Sequence, residues 1–231
     1  MKLTPRLLKV SEFVKNGEMV ADVGTDHAYI AVYLVENEIS KKVIATDVNE
    51  GPLNSANKNI KLYGFENNIE TRLGNGLEKI KPNEVDTVII AGMGGLLIRD
   101  ILLGYPNVTK SIDKFVLQPM VAQDELREWL VNNGFCIVDE ALVREEHRIY
   151  EIMVVKKGKQ EVNDNIYFEI GQKLIENKDP LLEEYIQMKI NKYQKIMDNL
   201  LNQTTENAKR KLEECKEHIK KLEEVKKCLK Y

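Results

Sequence analysis

Between residues 19 and 134 the chain alternates short apolar runs with longer amphipathic ones, and this alternation constrains its fold more than any other feature. The runs "MVADVG", "KVIATDV", "IETRLGNG", "VDTVIIAGMGG" and "KFVLQP" have strand character, whereas "AYIAVYLVEN", "GPLNSANKNIKLYG", "LLIRDILLG" and "AQDELREWLVNNG" carry apolar residues at helical spacing. Parallel strands cannot be joined by a tight turn, so each return must cross over, and a helix of about ten residues is the usual crossover. The pattern predicts a doubly wound α/β sheet with helices on both faces. Ahead of it, "TPRLLKVSEFV" places Leu7, Leu8, Val10, Phe13 and Val14 at helical spacing, with Thr4 as the N-cap and Pro5 at the first helical position. Asn16-Gly17 ends that segment.

The rhythm then changes. Phe135 to Val143 and Arg148 to Val155 read as two strands joined by an acidic turn with no helix between them, an antiparallel hairpin on the sheet edge. A parallel sheet closed by such a hairpin is the architecture of Rossmann-like class I methyltransferases that use S-adenosylmethionine; dinucleotide dehydrogenases generally complete a second parallel half. Past Gly158, apolar residues step by threes and fours through Leu182, Ile186, Ile190, Tyr193, Met197 and Leu200. They do so again through Ala208, Leu212, Cys215, Ile219, Leu222, Val225 and Leu229. Between them "NQTTEN" is a turn, with Thr204 or Thr205 as a cap. Residues 1–158 are expected to form the methyltransferase domain and residues 159–231 a C-terminal helical domain, an antiparallel coiled-coil hairpin or an equivalent packed pair.

A chain of 231 residues that is 43% hydrophobic can bury a substantial core. Its formal net charge of -3 does not announce a nucleic-acid binder, although local basic patches remain open. Cys136, Cys215 and Cys228 form no CxxC pair and leave one thiol over in any disulfide scheme, which points to a reducing compartment. No apolar run reaches the roughly 20 residues of a membrane span, and no signal-peptide profile opens the chain. A cytoplasmic protein with no membrane partner and no metal site is expected.

Open α/β sheets hold ligands beyond the C-terminal ends of their strands, so the residues there carry the functional reading. The first strand ends at Asp22-Val23-Gly24 and is followed by Thr25, Asp26, His27 and Ala28. Gly24 admits close approach, and amides at the following helix start can meet a carboxylate such as the methionine end of S-adenosylmethionine. The second and third glycines of G-x-G-x-x-G are missing, which disfavours a pyrophosphate. Asp47 ends the second strand, where an acid meets ribose hydroxyls, unless it is simply a surface aspartate; Val48 and Asn49 follow it in the candidate cofactor set. Gly74-Asn75-Gly76 ends the third strand, with Asn75 and Gly76 set either beside an adenine ring or in an ordinary turn.

Three glycines in four residues follow the fourth strand at Ala91-Gly92-Met93-Gly94-Gly95, more than a turn requires, and would let a flat substrate lie against backbone. Gln118, at the end of the fifth strand, offers a side-chain amide on the same edge. His147 and His218 read as structural histidines, whereas His27 shares the ligand turn with Asp26.

Taken together and in order, "DVGTDHAYI", "NEGPLNSA", "RLGNGL", "IAGMGG" and "LQP" resemble the bacterial tRNA (adenine-N1)-methyltransferase family TrmK, which modifies the adenine at position 22 of tRNA. The resemblance runs from about Lys2 to Lys156, and the helical appendage matches the family plan. Asp47 stands where the family more often has glutamate, and Met120 where it often has asparagine. The resemblance implies transfer of the sulfonium methyl to N1 of adenine, with tRNA as the partner. Carbonyls around Ala91 to Met93, with Asp26, His27 and Gln118, become candidate groups around the reacting base; Tyr29 becomes a stacking surface. Arg6, Lys9, Arg72, Arg99 and the lysines of the helical hairpin are candidate tRNA contacts. The readings set against this one are a small-molecule methyltransferase and a non-catalytic nucleotide-binding module that recruits a partner through its helices.

Overall fold

The computed structural model describes residues 1–201, 203 and 205–229, and the chain divides into two compact units, Met1–Glu161 and Val162–Tyr231. The first unit holds a seven-stranded sheet. Its strands are β1 (Val20–Val23), β2 (Val43–Asp47), β3 (Ile69–Leu73), β4 (Thr87–Met93), β5 (Lys114–Pro119), β6 (Phe135–Glu145) and β7 (Arg148–Lys157), arranged in the order β3-β2-β1-β4-β5-β7-β6. The pairs from β3 through β5 are parallel, and β7 lies antiparallel to both β5 and β6. The expected hairpin is therefore present, and its second strand inserts beside β5 while its first forms the edge. Order reverses between β1 and β4, which opens a crevice above their C-terminal ends.

Helices α1 (Pro5–Ser11), α2 (Tyr29–Glu36) and α3 (Glu50–Tyr63) cover one face, and α4 (Gly95–Gly104), α5 (Pro106–Ser111) and α6 (Gln123–Asn132) cover the other. Successive residues of the central strands feed alternate cores: Val20 and Ile89 pack with Val10, Ile30 and Ile60, whereas Ala21, Val88 and Ile90 pack with Ile98, Ile101 and Leu126. Burial on both faces explains why these strands read as unbroken apolar runs. Thr4 caps α1 through its hydroxyl, which accepts from the Leu7 amide, and Pro5 sits at the first position as expected. Helix α5 has no counterpart among the segments expected from the sequence.

Two ion clusters, one buried and one partly buried, fasten the periphery. Arg127 on α6 donates to Glu140 of β6 at 2.7 Å and also to Glu151 of β7, with all three side chains about 1% exposed. Lys114 at the start of β5 donates to the Phe13 carbonyl and to Glu18, both at 2.7 Å, holding the chain beyond α1 against the sheet.

The second unit contains the short helices α7 (Ile166–Ile170) and α8 (Gln172–Glu176), which the apolar periodicity does not reveal, and the long α9 (Leu182–Leu200) and α10 (Glu206–Cys228). The long pair is antiparallel, since Lys226 near the end of α10 donates to Gln187 near the start of α9. Of the anticipated seam, Leu182, Ile186, Ile190, Ala208, Cys215, Leu222 and Val225 are buried, whereas Tyr193, Met197, Leu200, Leu212, Ile219 and Leu229 are half-buried. Thr205 caps α10 by accepting from the Ala208 amide; Asn202 and the alternative cap Thr204 lie outside the described residues.

Candidate active site

The strand-end motifs lie along the C-terminal rim of the parallel strands, on either side of the point between β1 and β4 where order reverses, those expected to meet a cofactor on β1, β2 and β3 and those expected to meet an acceptor on β4 and β5. On the β1–β3 side, Gly24 leaves β1 with φ +76°, and both its amide and that of Thr25 donate to the Thr46 carbonyl at 2.8 Å. Those two amides are thereby used up, so the donors anticipated for a carboxylate must come from the residues that follow, from Asp26 to the start of α2. His27 and Ala28 are both left-handed, with φ 59° and 55°, a conformation that costs a non-glycine residue roughly 1–2 kcal/mol. Asn59 of α3 secures this strained turn by donating to the His27 carbonyl at 2.9 Å.

Asp22 is buried, and its carboxylate accepts from the Thr25 hydroxyl at 2.8 Å. Burial pushes its carboxyl up to about 6, opposed by the Thr25 hydrogen bond and reinforced by repulsion from Asp47 on the adjacent strand. Two acids placed in one another's field at neighbouring strand ends suit a ligand that carries positive charge and hydroxyls. S-adenosylmethionine carries both, so the residues present fit it. Asp47 accepts from the Asn49 amide at 2.7 Å, pairs in register with Leu73, and is flanked by an exposed apolar surface at Val48 and Leu73. Asn75 stands beside that surface with its amide donating to Glu78 at 3.1 Å. Gly76 has another duty: a Cβ there would press on Ile101 of α4, and its carbonyl accepts from Thr46, so its lack of a side chain serves packing.

On the β4–β5 side, the register of β4 against β5 shifts between Ala91 and Met93, and Gly92 occupies the bulge with φ +80°. The Met93 side chain reaches back across the rim, and a Cβ on Gly24 would collide with its terminal methyl. Gly95 allows an equally close approach, because its amide donates to Val121 and a Cβ would strike the Ala122 carbonyl. His27 stacks on Tyr29 with ring centroids 5.3 Å apart and planes 15° apart, and His27 Nε2 lies 3.3 Å from Asp26 Oδ1. Asp26 and Tyr29 are exposed and His27 half-buried, so the three form one cluster at the surface. Gln118 does not join it. It is fully buried, its oxygen accepting from Gly92 and Arg6 and its nitrogen donating to the Pro119 carbonyl and Met120 sulfur. It holds the platform from behind.

The basic residues named from the sequence separate in the same way. Arg72 is engaged by Glu70 and by both oxygens of Glu84, and its guanidinium holds the Glu84 carboxyl down to about 2. Such a residue has little charge left for a phosphate. Arg6 is engaged with Gln118 and Glu145, Lys9 pairs with Glu12, and Arg99 with Asp100. Arg127 and its two glutamates form a buried cluster that the helical spacing of "AQDELREWLVNNG" does not show. Among the described residues no helix is long and apolar enough to cross a membrane, and no group of three or more His, Cys, Asp or Glu could hold a metal ion.

A family model described as tRNA (adenine(22)-N(1))-methyltransferase, TrmK, matches residues 20–224. The tRNA (adenine(22)-N(1))-methyltransferase of Bacillus subtilis is 32% identical over 231 residues, covering 97% of each chain. The fold superposes on a Streptococcus pneumoniae protein solved in complex with S-adenosyl-L-methionine, with a TM-score of 0.87, 32% identity and coverage of 97% and 99% of the two chains. M. capricolum TrmK, solved with S-adenosyl-homocysteine, matches with a TM-score of 0.84, 31% identity and full coverage of both chains.

Proposed function

The chain belongs to TrmK, the tRNA (adenine(22)-N(1))-methyltransferase family, and from that membership we propose that it methylates N1 of adenine 22 in tRNA with S-adenosylmethionine, in the cytoplasm. The observation that carries the reading is the meeting of Met93 with Gly24, which joins the acidic cofactor rim to the glycine platform across the crevice. A cofactor held on the one and a flat base held on the other would be neighbours, which supports the reading.

Asp47 takes the ribose hydroxyls, Val48, Asn49 and Asn75 border the adenine, and the amides after Thr25 take the carboxylate. Asp22 supplies negative charge behind the turn. When bound, S-adenosylmethionine supplies an electrophilic methyl group on its sulfonium. Adenine N1 already holds a lone pair, so the protein's task is positioning and exclusion of water, not strong base catalysis. As the base gains positive charge its exocyclic amine becomes a better donor, and carbonyls at Ala91, Gly92 and Met93 accept from it. Tyr29, 39% exposed and braced by His27, offers the stacking face, and Asp26 holds the imidazole. N1 lies on the Watson–Crick edge, so adenine 22 must leave its partner and stack before it reaches the platform.

The helical unit supplies phosphate contacts. On α9, Lys192 and Lys195 are exposed along a face with Met188, Asn191, Ile196 and Asn199 that carries no acid. The deciding experiment supplies labelled S-adenosylmethionine with an unmodified tRNA transcript and maps the product nucleoside. Label is expected as N1-methyladenine at position 22 and absent from a transcript carrying guanine there. Label in a small metabolite, with tRNA unmodified, would overturn the reading.

A further inference from the structure

We propose that Arg6, on the first helix and 112 residues from Gln118, is a positioning residue that sets the orientation of the acceptor platform through Gln118. The inference rests on the tRNA methyltransferase reading and deepens it by naming what holds the backbone that meets the adenine. Arg6 Nη1 donates to Gln118 Oε1 at 2.7 Å, and the Gly92 amide donates to the same oxygen at 3.1 Å. The guanidinium also stands beside the platform itself, since Nη1 lies 3.8 Å from where a Cβ on Gly92 would be.

The chemistry of the two side chains makes this arrangement directional. A carboxamide can present either oxygen or nitrogen, and Gly92 N–H can bond only the oxygen. Gln118 is fully buried, so a wrong choice would set its N–H₂ against the Gly92 N–H. Arginine has donors and no acceptor, so a guanidinium beside Gln118 admits only the orientation that presents the oxygen. With the oxygen held there, Gly92 N–H is fixed toward Gln118. The preceding peptide is trans and planar, so the Ala91 carbonyl is turned the opposite way, away from Gln118. Ala91 O is one of the acceptors assigned above to the exocyclic amine.

Arg6 is itself held with more care than anchoring a short helix requires. Its amide donates to Glu145 Oε2 at 2.9 Å, its Nε lies 3.6 Å from Glu145 Oε1, and its guanidinium sits 5.4 Å from the centre of the Tyr150 ring. Glu145 and Tyr150 belong to the hairpin strands β6 and β7, so the hairpin and α1 together aim one cation at Gln118. Arg6 Nε is buried, and the Glu145 carboxylate is the charge that faces it. Glu145 neutralises the charge, which keeps a bare cation away from an acceptor that becomes cationic.

Two substitutions of similar polarity separate orientation from packing. Arg6→Lys keeps a pure donor, whereas Arg6→Gln offers an acceptor and a donor and so leaves the facing of Gln118 to the longer bonds with the Gly92 amide and the Pro119 carbonyl, both at 3.1 Å. On full-length protein with tRNA transcript, Arg6→Lys should retain kcat within about threefold, and Arg6→Gln should lose about tenfold to a hundredfold, with KM for tRNA changed little. Calorimetric affinity for S-adenosylmethionine should stay within about twofold in both, which also shows that each is folded. Equal kcat losses in the two variants would overturn the proposal. So would a loss confined to KM for tRNA, which would make Arg6 a phosphate contact instead. If the unsubstituted protein methylates no tRNA, the functional reading itself fails, an outcome distinct from either of these.

Discussion

Replacing Asp22 by asparagine should stabilise the protein while weakening its hold on the cofactor, and the stabilisation should depend on pH. Asp22 is buried and its carboxyl is pushed from 3.8 to about 6, so ionisation costs the folded chain what it does not cost the unfolded one. The raised value fixes the sign: Asp22 contributes full stability below about 3.8, and that stability is lost as pH climbs through about 6. A tenfold change in an acid's ionisation constant is worth about 1.4 kcal/mol, so the penalty is about 3 kcal/mol at pH 8 but only about 1 kcal/mol at pH 4.5. Asparagine removes the ionisation and keeps an oxygen for the Thr25 hydroxyl. Thermal unfolding without cofactor should therefore rise by about 6–12 °C at pH 8 and by about a third of that at pH 4.5. An equal gain at both pH values, or a lower midpoint at pH 8, would refute the argument that burial of a charge dominates at this position.

Asp47→Ala should weaken S-adenosylmethionine binding by about tenfold to a hundredfold in calorimetry, the worth of a charge-assisted pair of hydrogen bonds to a ribose; unchanged affinity would remove the acid from that role. Arg127→Met leaves Glu140 and Glu151 buried without their guanidinium and should cost about 3–5 kcal/mol in denaturant unfolding, whereas a loss below about 1 kcal/mol would mean that the carboxylates reach water. Neutralising Lys192 and Lys195 should flatten the salt dependence of tRNA binding by about two in log–log slope if each meets a phosphate. An unaltered slope would take α9 out of the interface.

The strand–helix alternation, the hairpin and the glycines at Gly24 and Gly92 were legible in the chain because each rests on a local rule: period of burial, length of connection, or a backbone angle that a side chain resists. Those rules act over a few residues, so a linear string carries them. The family motifs sharpened the same positions, since ligands gather where parallel strands end.

Other features depended on residues brought together from afar. No local pattern shows that the amides of Gly24 and Thr25 are consumed by Thr46, or that Gly76 is small for the sake of Ile101. Nor could it show that Arg72 spends its charge on Glu70 and Glu84, since a guanidinium looks the same in a sequence whether or not a carboxylate faces it. Gln118 illustrates the division most clearly. Its place at the end of β5 follows from the sequence alone, but that its oxygen is taken by Gly92 and by Arg6, 112 residues away on another helix, only the tertiary structure decided. Sequence determines which chemistry is available at each strand end, and packing determines which of those groups remain free to use it.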